Sequence, residues 1–375
     1  MAKGIYAGVG GVKKVKKLFV GVGGAAKKVK KVFVGVGGAI KLAFSGEPSK
    51  VDTAITPLSV SRSSLAAASI GNYALFAGGA GITRRCDVDA YSDSLEHSMA
   101  PDLSLTAHSL AAASVGNYAL FAGGLGSNDS SISQVNAFNK SLERLSAPTL
   151  RYNSAYLAGT NNGVYAIFAG GRSGSTVRPW GSAYNSALEK IDGLLLINNA
   201  HNLASARVGN YALFAGGEKD TAGSASDQVT IFTTELNRLE NTLSAARYSL
   251  AGASGDYAIF AGGYSSYGYP TVVEAFDTSL TRYSASALST GRMSLSAVSI
   301  GDYAIFAGGF NKDNSPNVVN TVDAFDTSLA RYTFDTLATE RMSLAAASVG
   351  NYALFAGGFN YTNPSVYDTI DAYEI

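Results

Sequence analysis

Asn351-Tyr-Ala-Leu-Phe-Ala-Gly-Gly358 decides the fold, because the chain writes the same phrase seven times. The other copies run from Asn72 to Gly79, Asn117 to Gly124, Val164 to Gly171, Asn210 to Gly217, Asp256 to Gly263 and Asp302 to Gly309. Their first glycines are 45, 47, 46, 46, 46 and 49 residues apart. A fixed period of this length marks a repeat architecture, which has to be read before any single element.

Working outward from the phrase, each unit holds four short strands. Strand one, such as Ser343-Leu-Ala-Ala-Ala-Ser348, has the small side chains expected where strands crowd a central axis. Strand two is the Tyr/Phe-rich alternation itself, ending in Gly-Gly where the backbone needs freedom. Strand three is Val322 to Asp326 or Val273 to Asp277, and Asp-Thr-Ser-Leu turns the chain into strand four, Arg331 to Leu337. Seven four-stranded units predict an all-β fold, a seven-bladed β-propeller spanning residues 46–375. The chain ends in a third strand, Ile370 to Ile375, so the last blade is expected to be closed by residues 51–58.

The Gly-Gly after strand two, the aromatic–acid pairs Phe276-Asp277 and Phe325-Asp326, and an Arg ahead of strand one (Arg62, Arg151, Arg247, Arg292, Arg341) resemble the kelch family. That resemblance covers residues 51–375. The Trp typical of kelch strand four is missing, with Tyr283 and Tyr332 nearby.

Strand order assigns the loops to faces. One face repeats nearly the same one-to-two and three-to-four turns in every blade. The other differs blade by blade, with two-to-three loops at 80–87, 125–133, 172–184, 218–227, 264–271, 310–318 and 359–367. Its Arg84, Arg85, Arg172, Arg178, Trp180, Tyr264, Tyr267, Tyr269, Phe310, Phe359 and Tyr361 are the expected ligand-binding residues. Rings offer apolar area at low entropic cost, and Arg fixes polar groups. The strand-one arginines are expected instead to pair with a neighbouring acid. His108 and His201 share a column with Met293 and Met342, which favours packing, and no metal or other cofactor is expected.

No catalytic template is present: neither Gly-x-Ser-x-Gly, nor His-Glu-x-x-His, nor a Gly-x-x-x-x-Gly-Lys-Ser/Thr loop. The protein is therefore expected not to be an enzyme. A single cysteine, Cys86, excludes an internal disulfide framework. No apolar run reaches the length of a membrane span or an export signal, and synthesis in a cytoplasm is expected.

A net charge of +1 conceals two unlike parts: residues 1–50 carry eleven Lys against Glu47, or +10, and the remainder −9. Residues 1–45 repeat Gly-Val-Gly-Gly at 8–11, 21–24 and 35–38, separated by Lys13-Lys-Val-Lys-Lys17 and Lys27-Lys-Val-Lys-Lys31. Flanking β-branched and aromatic residues predict strands and turns, not helix. This phrasing resembles the N-terminal segment of phage tail and virion proteins, and a bare basic tail for nucleic acid or membrane would not need it. The resemblance implies a structural, receptor-binding tail component, assembled in the host cytoplasm. Residues 1–45 would dock to other virion proteins and join subunits, expected as a trimer, while the propeller meets a host-surface glycan or protein. Nucleic-acid binding and membrane insertion are not expected. A kelch-like carbohydrate-active enzyme and an intracellular kelch interaction module are the alternatives.

Overall fold

Alternation of apolar and polar residues with period two produces strands throughout. The computed structural model describes residues 48–220, 223–361 and 365–375 fully, and the strand backbone of 6–8, 12–14, 18–22, 25–29, 31–36 and 39–45. Among the described residues there is no helix, hence none long and apolar enough to cross a membrane. Seven four-stranded antiparallel sheets follow one another as the blades of a propeller. In blade two the strands are Ala111–Val115, Tyr118–Ala122, Val135–Asn139 and Arg144–Ser146.

Blade seven joins the two ends of the propeller. Its first three strands are Ala345–Val349, Tyr352–Ala356 and Ile370–Glu374, and the fourth is Ser49–Lys50. Tyr373 pairs with Lys50 and Glu374 with Ser49, and the Val51 N–H donates to the Ala372 carbonyl. The pairing thus lies ahead of the expected 51–58 stretch. Lys50 takes the place opposite Tyr373 that Arg282 takes opposite Phe276 in blade five. Residues 51–57 lead away, and Leu58 returns, buried, with its N–H on the Asp368 carbonyl.

The core lies between blades. Seven apolar clusters fill the seven interfaces; in the closing one, Leu354, Ala356 and Ala372 of blade seven meet Phe76 and Tyr91 of blade one, with Leu58. The Gly-Gly phrase is explained here. The Gly79 N–H donates to the Ala107 carbonyl of the next blade at 2.7 Å. Gly78 has φ +66°, and a Cβ there would sit 2.4 Å from that same carbonyl, closer than any side chain tolerates.

A second clasp circles the axis. The N–H groups of Ser64, Ser109, Tyr156, Asn202, Ser249, Ser294 and Ser343 each donate to the preceding member's carbonyl, and Ser64 closes the ring on Ser343, at 2.8–3.0 Å. All seven have φ between 52° and 58°. This left-handed backbone is costly for a residue with a Cβ, and the closed ring of hydrogen bonds holds it in place.

The N-terminal repeat forms three two-stranded antiparallel sheets: Tyr6–Gly8 with Val12–Lys14, Leu18–Val22 with Ala25–Val29, and Lys31–Val36 with Ala39–Ser45. Val22 pairs with Ala25 and Val36 with Ala39, residues that flank the last two positions of the Gly-Val-Gly-Gly phrases. The intervening 9–11, 15–17, 23–24 and 37–38, which complete those phrases and part of the Lys runs, lie outside the described residues.

Candidate functional site

The column just ahead of the clasp ring forms a mouth on the variable face. There Ser63, His108, Ala155, His201, Tyr248, Met293 and Met342 bridge Ala80, Leu125, Arg172, Glu218, Tyr264, Phe310 and Phe359 across their blades. The mouth is polar over blades one to four and aromatic over blades five to seven. The shared column of His108, His201, Met293 and Met342 follows the sequence register.

On the aromatic side, rings run edge to face from Tyr248 through Tyr264, Tyr269, Phe310 and Tyr361 to Phe359, with centroids 5.0–6.0 Å apart. This is the T-shaped geometry that ring quadrupoles prefer. Tyr267 stands outside this ribbon at the loop tip, 99% exposed, and Tyr361 is 65% exposed. Tyr248 lies in a four-to-one connection, outside the two-to-three loops whose differences were visible in the sequence.

On the polar side an open cleft of about 370 Å³ is lined by Arg84, His108, Leu125, Asp129, Ser131, Tyr156, Arg172 and Gly174. Arg84 grips Asp129 with Nε and Nη2 at 2.7–3.0 Å, and His108 Nε2 lies 3.2 Å from the same carboxylate. These partners hold the Asp129 carboxyl below its usual range. Burial pushes the His108 imidazole down, so it is neutral near pH 7, and does the same to His201, whose Nδ1 meets the Glu218 carbonyl at 2.9 Å. Arg85 is similarly occupied, forked onto Asp87.

Blade three differs. Arg172 lies over the Tyr156 ring at 4.8 Å; Arg151 and Arg178 each lie 5.4 Å from the Tyr152 centroid, and Arg151 also covers Trp180 at 5.6 Å. Trp180 is the first residue of strand three, Trp180–Tyr184, rather than part of the 172–184 loop. The loop is thereby shorter, 172–179, and contains its own ribbon, Arg172–Ser173 paired with Thr176–Val177. Asp129, Tyr152 and Tyr156 escaped the sequence reading because their importance comes from neighbours on other strands.

The Arg column ahead of strand one also needs correction. Arg62, Arg247, Arg292 and Arg341 are buried and pair with Asp89, Glu274, Asp323 and Asp371 on strand three of their own blades. Arg151 is not a member. Ser154 holds its blade's place, since the Ser154 carbonyl caps Gly124 as the Arg341 carbonyl caps Gly309. Arg151 lies three residues earlier, where it is exposed.

A solved structure titled "Structure of YjhT" is similar to this chain with a TM-score of 0.58 and 12% sequence identity, covering 75% of this chain and 99% of its own. At that identity the likeness is one of fold, the propeller. No protein-family model matches the chain, and no curated protein matches it.

Proposed function

We propose that the protein is a structural and receptor-binding component of a phage or phage-like tail, built on a kelch-type propeller. One observation carries this reading: the N-terminal segment joins the propeller at the face opposite the variable loops. Ser49 pairs with Glu374, which pairs with Tyr352 beside the Gly350-Asn351 turn, so the N-terminal segment enters at the face of repeated turns. The variable loops stand at the opposite face, free to meet a host-surface glycan or protein while the other end is held. The segment's composition supports anchoring. Its strands form three separate two-stranded sheets, and sheets of that size are marginal alone in water and carry open edges that other chains can pair with.

Light-scattering mass of the full chain beside residues 46–375 tests the proposal. An oligomer, a trimer by our reading, that becomes a folded monomer on truncation is expected. A full-length monomer, or a truncated oligomer, contradicts the anchoring role.

A further inference from the structure

We infer that blade three is a site for an anionic surface polysaccharide, its carboxylate or phosphodiester oxygens held by Arg151, Arg172 and Arg178. The inference rests on the receptor-binding reading and names its ligand chemistry. The partly exposed arginines on this face fall into two groups. Arg84 and Arg85 are forked onto Asp129 and Asp87 and have little left to offer. Among the described residues, the three arginines of blade three have no acidic partner within ion-pair distance. Asp192, whose carboxyl feels the Arg151 charge, is already engaged by Lys190 and by the Ser182 hydroxyl, each at 2.7 Å, and Asp129, in the cleft beside Arg172, is taken by Arg84.

Their geometry is that of guanidinium groups prepared for anions. Each lies 4.8–5.6 Å from the centroid of an aromatic ring, Tyr156, Tyr152 or Trp180, a cation–π contact that holds the guanidinium without using a hydrogen-bond acceptor. The backbone is held too. The Arg178 N–H donates to the Gly171 carbonyl at 2.9 Å, and Arg172 begins the loop's own two-stranded ribbon. A planar fork meeting an anionic oxygen pair forms the strong, charge-assisted kind of hydrogen bond.

The arrangement of the charges selects the polymer. Nucleic acid carries a charge every few ångströms and would bring that density against a propeller whose residues beyond 50 sum to −9. Arg151 and Arg178 share the Tyr152 ring and Arg172 lies on Tyr156, two cationic positions that a polysaccharide with one anion per repeating unit can meet. The cleft beside Arg172, about 370 Å³, has room for one sugar-sized unit.

Titration calorimetry of the full chain with oligogalacturonate, poly(glycerol phosphate), neutral dextran and a single-stranded oligonucleotide tests this. Binding of one anionic polysaccharide, weakening with added salt, is expected. Each of R151Q, R172Q and R178Q should raise its Kd about tenfold. All three residues are partly exposed, so the variants should keep the wild-type circular dichroism and melting temperature. Binding of neither anionic polysaccharide, tighter binding of the oligonucleotide, or variants that bind like wild type would each overturn the inference. If dextran binds and the arginine variants do not weaken it, the receptor reading stands without this site. If no glycan binds at all, the glycan form of that reading falls as well.

Discussion

Asp323 shows how one buried residue organises a blade. Its carboxylate accepts from the Arg292 guanidinium at 3.0 Å, from the Ser289 N–H and hydroxyl, and from Arg331 on strand four. Asp89, Glu274 and Asp371 repeat the arrangement, with His97, Arg282 and Lys50 as the outer partners. Where the Arg is missing, the acid is missing as well: Ala107, Ser154 and Ala200 go with Asn136, Ser182 and Thr230, neutral groups that still accept from the N–H of residues 104, 151 and 197. The cause is electrostatic, since an unpaired charge at this depth is far costlier than a neutral acceptor. D323N should therefore cost roughly 3–5 kcal/mol in urea unfolding by leaving Arg292 buried and unpaired. The double variant R292M/D323N should be less destabilised than D323N; a double variant at least as unstable contradicts this. Burial also holds His108 and His201 below their ordinary value of 6.5. The unfolded chain then takes up protons first as pH drops, so stability falls from about pH 6.5 downward. Between about pH 7.5 and 5.5 the wild-type melting temperature should drop further than that of H108Q/H201Q, and equal drops would refute the assignment.

At the scale of elements, the two-residue strand Ser49–Lys50 joins the two ends of the propeller. It supplies the pairing to Tyr373 and Glu374, an ion pair from Lys50 to Asp371 at 2.7 Å, and a Lys50 bond to the Thr336 carbonyl. Removing residues 1–45 leaves this strand in place; removing 1–58 deletes it together with buried Leu58. The longer deletion should lower the melting temperature sharply and the shorter one should not, because only the longer exposes a sheet edge and the interface around Tyr91. Equal melting temperatures would show that closure is not held here. The aromatic residues of the variable face belong to the same scale. W180A, Y267A and Y361A together should keep the fold, since Tyr267 and Tyr361 are exposed and Trp180 only half-buried. Loss of receptor binding is expected, and undiminished binding would remove the variable face from the proposal.

For the whole molecule, the consequence of closure is two unlike ends on one rigid ring. Seven inter-blade clusters, seven Gly-Gly clasps and the ring from Ser64 to Ser343 make each blade depend on its neighbours. Loops at the variable face can then change without refolding the scaffold. The +10 segment enters at the other end. Its oligomeric interactions should depend on residues 1–45 alone, so 46–375 should retain ligand affinity for a single site while losing avidity on a multivalent surface. Equal apparent affinity of the two forms on a dense glycan surface would contradict assembly through the segment.

The sequence by itself determined the blade count, the strand order and the two faces, because these follow from a period of about 46 residues and from alternation along each strand, both local properties of the chain. It also showed that Gly-Gly was required, though not that the reason was a carbonyl of the next blade. Only the tertiary structure decided that Arg151 leaves the buried Arg column, that Arg84 and Arg85 are already neutralised, and that Arg151, Arg172 and Arg178 stand on aromatic rings. Those facts depend on which side chains from separate strands reach one another, and spacing along a single chain carries no such distance.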